Sequence, residues 1–478
     1  MISEFAEAYS NDRTTLYTQA RDLHNNRKTH SQRSVASGTL EESMVDRVSR
    51  IVVGAYDALN GGFGTEPKFP NAPILRFLNH LQRTSGEVFY ASILTKTLDS
   101  MASGQVLDNI EGGFFRHCAQ ANWDEPQHEK MLEDNLALAR EFLDSGIMLE
   151  RSDYQETAKQ TFKYLIEQMY DSNTPGFRGS QGAHSDYYAM DASARKEYTR
   201  PMPDLFCYAN SNGLAVTVLL DAAWKLGEPS FQEIALTILD KLDSMEISGS
   251  FSHVFSNNGP SDAPPLFTDY AWLLTALLQA HGNTPNETYL GRATAVAQQM
   301  VERFFDQKGG GFFDIEEQSE ATGHLQIREK ILSDNTVAAQ ALIRLHQSTR
   351  NPDYLQIAEA TLSAFVETFQ EQGEFAADYG LAVNLLKNDS VEITVEGGPG
   401  DLGYQDMMAA VTRLPQPNLE IKTISSSGAS NVVRAHVCLD TICLPPVDSP
   451  VELANTVANL TKRQNNPFQD IFQVFPGN

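Results

Sequence analysis

Six turns built around a glycine and a phenylalanine recur along most of this chain, and their spacing limits what the chain can fold into. Counted between turns centred at 62, 113, 176, 249, 310 and 373, the intervals range from 51 to 73 residues. Each interval has room for two helices and two loops, and self-similarity at this period is typical of repeated supersecondary units. The turns are Gly61-Gly62-Phe63, Gly112-Gly113-Phe114, Gly176-Phe177, Gly249-Ser250-Phe251, Gly309-Gly310-Gly311-Phe312 and Gly373-Glu374-Phe375.

Hydrophobic periodicity predicts two helices in each interval. In the first, an apolar stripe runs through Val45, Val48, Val52, Ala55 and Leu59 at helical spacing. Each turn follows an odd-numbered predicted helix and precedes an even-numbered one, so antiparallel hairpins would bring all six turns to one end. Six hairpins with a shared end predict a mainly α fold, an (α/α)6 barrel with six helices inside six others. The predicted helices span 41–60, 72–84, 91–105, 131–148, 152–170, 209–226, 229–246, 267–282, 287–306, 335–348, 352–370 and 376–388.

The barrel is assigned to residues 41–388, and the flanking segments have a different pattern. Residues 1–40 are polar and predict one helix and a linker. Residues 389–478 alternate polar and apolar side chains over short runs, which favours a small α/β appendage. Its predicted strands are 391–395, 419–424, 432–438 and 441–444, and its predicted helices are 405–414 and 451–462.

The charge balance excludes several classes of partner. Lys and Arg number 36 against 62 Asp and Glu, a formal net charge of −26. A surface this negative repels phosphate backbones and anionic lipids, so neither nucleic acid nor membrane is an expected partner. The start of the chain has no basic segment followed by an apolar one, and no apolar run approaches the ~20 residues that span a bilayer. A cytoplasmic protein is therefore expected.

Cysteine usage and the motif search exclude further classes of site. Four cysteines in 478 residues cannot form a disulfide framework, and no CxxC, P-loop, GxGxxG or HExxH motif occurs. We expect no metal site and no cofactor. Cys438 and Cys443 flank a predicted tight turn and could approach disulfide distance, but free thiols are the expected state in a cytoplasmic protein.

The second Gly-Phe loop is the richest in groups that can carry chemistry. Two imidazoles, several carboxylates, a guanidinium and an indole occur within 24 residues, enough for acid–base pairs and a ring that stacks on a sugar. Alternatively, Glu129 and Asp134 only complement the positive end of the following helix. The candidates in this loop are Arg116, His117, Trp123, His128, Glu129 and Asp134.

The other loops contribute a second set of candidates, each with a structural alternative. Glu66 and Lys68 could bind substrate or simply pair with each other, and Asp269 could orient a base or cap a helix. In the fifth loop, Arg328 and Lys330 are candidates, although a solvated charged face extending to Asp334-Asn335 is also compatible with the pattern. The remaining candidates are Gln181, Asp186, Tyr188, His253 and Tyr270.

These motifs resemble the spermatogenesis-associated protein 20 family of thioredoxin-domain-containing proteins. Members carry Gly-Gly-Phe-Gly followed by Pro-Lys-Phe-Pro, Trp-x-x-Pro-His-Phe-Glu-Lys-Met-Leu-Tyr-Asp, Ser-Gln-Asp-Ala-Asp, Asp-Asp-Tyr-Ala and a late Cys-x-x-x-x-Cys-x-x-Pro. The resemblance covers nearly the whole chain and implies an (α/α)6 barrel similar to N-acylglucosamine 2-epimerases and six-hairpin glycosidases, preceded by a thioredoxin-like domain. The matching segments are 61–70, 112–117, 123–134, 180–184, 268–271 and 437–446.

Three departures from the family pattern affect function. Residues 1–30 resemble only the tail of the thioredoxin-like domain, so a thiol-redox activity is not carried over. Gln127 stands where the motif has histidine, and His128 where it has phenylalanine. Gly182 and His184 replace the two aspartates of the third loop.

The hypothesis that follows is a cleft for a small polar molecule, a carbohydrate, at the Gly-Phe end. An epimerase or isomerase would use His117 with His128 or His253 as acid and base, oriented by Glu129 and Asp269, with Trp123 and Tyr188 stacking on the sugar. A glycosidase would use two carboxylates among Glu66, Glu129 and Asp269. A third possibility is a non-catalytic barrel that binds a ligand or docks a separate thioredoxin-like protein.

Overall fold

The structure, a computed structural model, describes residues 2–31, 38–246, 251–284, 286–317, 327–424, 432–439 and 442–465. Helices dominate these ranges. They are α1 (Ile2–Asn11), α2 (Arg13–Ser31), α3 (Ser43–Gly54), α4 (Ala72–Ser85), α5 (Val88–Ser103), α6 (Leu132–Met148), α7 (Ser152–Tyr164), α8 (Ser185–Tyr188), α9 (Ala192–Glu197), α10 (Ala209–Leu226), α11 (Pro229–Asp243), α12 (Phe267–Asn283), α13 (Thr288–Phe304), α14 (Leu332–Thr349), α15 (Pro352–Ser363), α16 (Ala377–Lys387), α17 (Tyr404–Thr412) and α18 (Pro450–Asn465).

Strands are short, except in the C-terminal segment. They are β1 (His117–Cys118), β2 (Pro126–Gln127), β3 (Lys130–Met131), β4 (Tyr170–Asp171), β5 (Gly176–Phe177), β6 (Ser180–Gln181), β7 (Cys207–Tyr208), β8 (Val254–Ser256), β9 (Gly259–Pro260), β10 (Ser390–Glu396), β11 (Asn418–Ile424), β12 (Arg434–Leu439) and β13 (Ile442–Cys443). A π-helical turn (Leu165–Met169) follows α7, and a 3₁₀ segment (Phe369–Ala376) precedes α16.

The predicted (α/α)6 barrel is confirmed. Six inner helices pack side by side in a closed ring in the order α4, α6, α10, α12, α14, α16 and back to α4. Each is backed by an outer helix, namely α5, α7, α11, α13, α15 and α3 in the same order. The inner α10 is buried on nearly every side, whereas the outer α13 buries a single stripe, as the layer positions require.

Three outer helices end earlier than their periodicity predicts. The first stops at Gly54 rather than residue 60, the fifth becomes a π turn after Tyr164, and the eleventh stops at Ser363. At the first site Asp57 accepts the backbone N–H groups of Leu59 and Asn60, and this turn competes with further helix.

An aspartate, a lysine and two glycines form the same latch in three of the Gly-Phe turns. Asp57, Asp108 and Asp306 each stand four residues before the first glycine of a Gly-Gly-Phe and exchange backbone hydrogen bonds with that glycine pair. A lysine from later in the same loop then binds the aspartate carboxylate and a glycine carbonyl. Its Nζ–carboxylate distances are 2.8 Å for Lys68, 2.9 Å for Lys130 and 2.8 Å for Lys330.

An asparagine at the start of the inner helix completes three of the turns. Asn135 Oδ1 accepts the N–H of Phe114 at 2.6 Å, and its Nδ2 donates to the carbonyls of Phe114 and Met131. Asn212 and Asn335 make the same contacts to Phe177 and Phe312. Each turn is therefore fixed to the first turn of its inner helix, and all the inner helices begin at one end of the barrel.

The C-terminal segment packs against the opposite end. Parallel β10 and β11 and antiparallel β12 and β13 form a four-stranded sheet in the order β11-β10-β12-β13, with its own apolar cluster that includes Trp224 of α10. Arg83, at the end of α4, donates to the carbonyls of Leu414 and Gln416, and Arg413 donates to the carbonyl of Ile147 at the end of α6. The base of the barrel is covered by this segment.

Two expectations for the flanking segments are wrong. Residues 2–31 form two helices, α1 and α2, rather than one. Cys438 and Cys443 form a disulfide rather than two free thiols, because they face each other directly across the β12–β13 pair with Cα atoms 4.0 Å apart. The domain boundaries stay predictions. Among the described helices, none combines the length and apolarity needed to cross a bilayer.

The asparagine contact predicts a large loss of stability when it is removed. Asn135→Ala would leave the buried N–H and carbonyl of Phe114 without partners, so we expect the free energy of unfolding to fall by about 2–3 kcal/mol. Urea unfolding measures this, with Asn122→Ala, at an exposed position, as a control that shifts it by less than about 0.5 kcal/mol. Equal effects of the two substitutions would contradict the proposed role of the contact.

Candidate active site at the mouth of the barrel

Carboxylates occupy the first turn of three inner helices at the Gly-Phe end. Asp134, Asp269 and Asp334 are each the third residue of their helix, on α6, α12 and α14. Because α6 and α14 are three places apart in a ring of six, Asp134 and Asp334 stand on opposite sides of the barrel opening. We call these three residues together with Glu133 the acidic mouth.

Glu133 connects the two sides of the acidic mouth. Its exposed carboxylate accepts hydrogen bonds from Ser211 Oγ at 2.6 Å and Asn210 Nδ2 at 3.0 Å, both from the start of α10. Its negative charge raises the pKa of Asp134 beside it and of Asp334 on the other side. The carboxylates are therefore close enough to influence one another's protonation.

Burial and like charge together give Asp134 and Asp334 unusual acidity. Burial, followed by the charge of Glu133, raises the pKa of each to about 6, although a helix N-terminus ordinarily stabilises an anion. Arg116 counteracts part of this for Asp134. Asp334 has no comparable cation among its strongest influences, and Asp314 and Asp269 raise its pKa further.

His253 and Asp269 form an imidazole–carboxylate pair at the same opening. His253 Nδ1 lies 2.9 Å from Asp269 Oδ1, and Asp269 also accepts the N–H groups of Asn210 and Leu266. Burial opposes a charge on the imidazole, but the hydrogen bond to Asp269 and the charges of Asp269 and Glu133 outweigh it, so the pKa of His253 is raised. Asp269 is thus both a helix cap and the partner of a histidine.

The other two predicted acid–base histidines lie in separate environments. His117 packs against Phe69, its buried Nδ1 has no partner among the described residues, and burial lowers its pKa. His128 is stacked on Tyr188 with ring centroids 5.3 Å apart, and Phe115 closes the edge of that stack. In the described part of the chain, no hydrogen bond joins any two of the three histidines, so the predicted histidine pair is not assembled.

Several predicted binding residues are used inside the protein instead. Trp123, 1% exposed, fills the space beside Gly62, where an added Cβ would lie 2.5 Å from the indole and where φ is +78°. Lys68 is fully buried in its latch, Tyr270 lies in the core, and Gln181 accepts the hydroxyls of Tyr164 and Tyr188. These side chains and Tyr188 pack inside the protein. Trp123 and Tyr188, the two rings predicted to stack on a sugar, are therefore not exposed at the mouth.

The remaining candidates lie at the surface or in structural pairs. Arg116 and Glu129 form an ion pair with an N–O distance of 2.9 Å near the acidic mouth. Glu66 accepts the N–H of Ala121 rather than pairing with Lys68, and Lys330 is held by Asp306. Arg328 lies over the ring of Phe313, and Asp186 is exposed on α8.

Glu133 and Asp334 were missed by the sequence interpretation, which favoured a solvated face for Asp334-Asn335. That interpretation is wrong, because Asn335 is fully buried and Asp334 largely so. The available signal was the repetition of Leu-x-Asp-Asn at 132–135 and 332–335, the same position in two hairpins. The inward direction of these residues follows only from closure of the ring.

Comparison with known proteins shows which curated proteins the chain resembles. No family model matches it. Human spermatogenesis-associated protein 20 is 22% identical over 83% of this chain and 67% of its own length, and the mouse protein of that name is 22% identical over 76% and 60%. Over most of its length, the chain is therefore similar to spermatogenesis-associated protein 20.

Solved structures that share the fold include proteins named as sugar epimerases and glycoside hydrolases. Cellobiose 2-epimerase from Spirochaeta thermophila superimposes with a TM-score of 0.55 at 17% identity, covering 73% of this chain and 85% of its own. A family 76 glycoside hydrolase from a bovine Bacteroides thetaiotaomicron strain gives 0.54 at 15% identity, covering 72% and 78%. At these identities the likeness shows that the chain shares the six-hairpin barrel fold.

The raised pKa values predict that removing a mouth carboxylate stabilises the protein at high pH. Because the folded pKa of Asp134 is about 6, above its ordinary value of 3.8, its contribution to stability is present below about pH 4 and is lost as the pH rises through 6. We expect Asp134→Asn to be more stable than the unmodified chain by roughly 1–3 kcal/mol at pH 8 and equally stable at pH 4.

Urea unfolding at the two pH values checks this expectation. Asp186→Asn, which removes an exposed carboxylate from α8, should leave the stability unchanged at both. A difference for Asp134→Asn that does not vary with pH would show that the carboxyl is not held protonated in the folded state.

Proposed function

We propose that the acidic mouth is the active site of a carbohydrate-acting enzyme that cleaves a glycosidic bond by paired carboxyl groups. The observation that carries the proposal is that two carboxyls with pKa values near 6 stand on opposite sides of the barrel opening. Glycoside hydrolysis needs one carboxylic acid and one carboxylate on either side of the scissile bond. A carboxyl that titrates near pH 6 can serve as the acid under physiological conditions.

The surroundings of the two aspartates assign their roles. Both aspartates have pKa values of about 6, and we assign the general acid that protonates the leaving oxygen to Asp334, which has no cation among its strongest influences. Asp134 has Arg116 as a compensating cation, so it is the carboxylate that takes the proton of the attacking water. The bond from the anomeric carbon to the leaving oxygen breaks as the bond to the water oxygen forms. Asp334 gives its proton to the leaving oxygen and Asp134 takes one from the water, and proton exchange with solvent then restores both carboxyl groups.

Two neighbours support this chemistry without joining it. Glu133, held by Asn210 and Ser211, keeps both aspartate pKa values high through its charge. In the Arg116–Glu129 pair, the charge of Arg116 lowers the pKa of Asp134 and that of Glu129 raises it, with Arg116 the larger influence.

A second candidate function, sugar epimerisation, is favoured by one observation. His253 is oriented by Asp269 and faces the charge of Glu133, so its imidazole could move a proton at a carbon beside a carbonyl. It lacks a second histidine as partner among the described residues, which is why hydrolysis is preferred. Docking of a separate thioredoxin-like protein stays a prediction.

A panel of glycosides and reducing disaccharides tests the two chemistries together. We expect release of reducing ends, with Asp334→Asn and Asp134→Asn each lowering kcat by roughly 10³-fold. Glu133→Gln should move the pH–rate profile toward lower pH, because it removes the charge that raises both pKa values. Glu87→Gln, on the exposed start of α5, is the matched control and should change neither.

The contrary outcomes are distinct. Full activity in both aspartate variants would rule out the carboxyl mechanism. Exchange of a sugar C2 proton with deuterated solvent, without hydrolysis and abolished by His253→Gln, would establish the epimerase instead.

A further inference from the structure

A cavity of about 270 Å³ lies inside the ring of inner helices, directly below the acidic mouth. Its lining includes Arg140, Thr217 and Ala341, and each is seven residues beyond a residue at the mouth, Glu133, Asn210 and Asp334 respectively. Seven residues are two helical turns on the same face, so the cavity lies roughly 10 Å deeper along the barrel axis. Its size is near the lower limit for small-molecule sites, which is about 300 Å³.

The C-terminal segment borders the floor of the barrel interior. A second cavity of about 230 Å³ shares Arg76 and Asp144 with the first and is bounded by Thr412, Pro417 and Leu419 of the C-terminal segment. That segment is bound to the ends of α4 and α6 through Arg83 and Arg413. We take the acidic mouth, at the end of the ring opposite the C-terminal segment, as the entrance for a ligand of the upper cavity.

Three of the four cations that line the upper cavity are paired with carboxylates. Lys225 binds Asp144 at 2.5 Å and Asp221 at 2.7 Å. Arg76 pairs with Asp378 of α16, and Arg140 Nε lies 3.1 Å from Glu141. The carboxylates of Glu141 and Asp378 are not part of the lining, so the face that the cavity presents is richer in cations than in anions.

Among the four cations of the upper cavity, Arg344 has its positive charge least balanced by carboxylates. Its hydrogen bond in the described part of the chain is to the neutral Gln279, at 3.2 Å, and no described carboxylate forms an ion pair with it. Burial lowers its pKa, with Glu420 and Asp221 acting only from a distance. A guanidinium in this situation is stabilised by any anion that can reach it.

Unused N–H donors converge on the same space from opposite walls. Arg140 on α6 and Arg344 on α14 each donate one hydrogen bond among the described residues, from a group with five N–H donors. Gln340 on α14 also lines the cavity, and its buried Nε2 has no described partner. A buried donor such as Gln340 Nε2 is ordinarily satisfied, and the arginine donors beside it face the same cavity, so the set suits an acceptor-rich ligand.

We propose that this cavity binds the anionic group of a monosaccharide-sized ligand, a sugar acid or a sugar phosphate. Arg344, Arg140 and Gln340 hold the carboxylate or phosphate, and the ring of Trp272, with Thr217 and Thr275, lines the part that accepts the sugar. The guanidinium of arginine can bind a carboxylate or a phosphate through two parallel N–H···O hydrogen bonds. The placement of the sugar rests on the proposed function, because the scissile bond would lie above it in the acidic mouth.

Isothermal titration of the full chain with D-glucuronate, D-glucose 6-phosphate and D-glucose tests the inference. We expect at least one of the anionic sugars to bind ten or more times as tightly as glucose. Arg344→Gln should remove that advantage and leave glucose binding unchanged. Arg50→Gln, which removes an exposed cation from outer helix α3, is the matched control and should retain the advantage.

Gln340→Leu gives an independent check if Arg344→Gln fails to fold, since it removes a donor without changing charge. It should weaken binding of the anionic sugar severalfold. Tighter binding of glucuronate identifies a carboxylate ligand, and tighter binding of glucose 6-phosphate identifies a phosphate. Equal affinity for charged and neutral sugars, absence of binding, or unchanged affinity in folded Arg344→Gln would overturn the inference.

Binding and hydrolysis, measured separately, distinguish this inference from the proposed function. Binding of the anionic sugars is titrated in Asp334→Asn as well, where hydrolysis is expected to be lost. Anion-selective binding without hydrolysis in the unmodified chain would reject the proposed activity alone. Hydrolysis of neutral glycosides with no preference for an anionic sugar would reject the cavity proposal alone.

Discussion

The hydrogen-bonded Gly-Phe turn, with its aspartate, lysine and asparagine, is the interaction on which the rest of the structure depends. In the second hairpin, Asp108 and Lys130 hold the glycine pair from one side while Asn135 holds Phe114 from the other. The turn thereby connects an outer helix to the first residues of an inner helix in one defined geometry. Repetition of this turn brings the inner helices to a common starting level and lets them close into a ring.

Closure of the ring produces the electrostatic character of the mouth. Residues at the third position of inner helices lie at a shared opening, so Asp134 and Asp334 border the same mouth from opposite sides although 200 positions separate them in sequence. The positive helix ends would favour two anions, but burial and the charge of Glu133 outweigh them. Ionising these carboxyls at neutral pH therefore costs stability, and this cost is the basis on which we propose the mouth as an active site.

The interior cavity lies below the acidic mouth along the barrel axis. Carboxylates dominate the mouth, while Arg140 and Arg344 present unused donors two turns below it. The C-terminal sheet closes the far end, with its apolar cluster reaching Trp224 of α10. A ligand with an anionic end and a glycosidic bond about one sugar ring away matches this order of groups.

The sequence by itself determined the number of hairpins, their shared end and the limits of most helices, because apolar periodicity and Gly-Phe turns are local signals. Only the tertiary structure decided which polar residues face the opening. Three side chains suited to ligand binding are instead buried in the protein, namely Trp123, Lys68 and Gln181. Conversely, two residues that resemble ordinary helix-start residues line the acidic mouth, namely Glu133 and Asp334. The Cys438–Cys443 bond likewise follows from strand register. Burial and charge coupling depend on distances between remote segments, which no local pattern records.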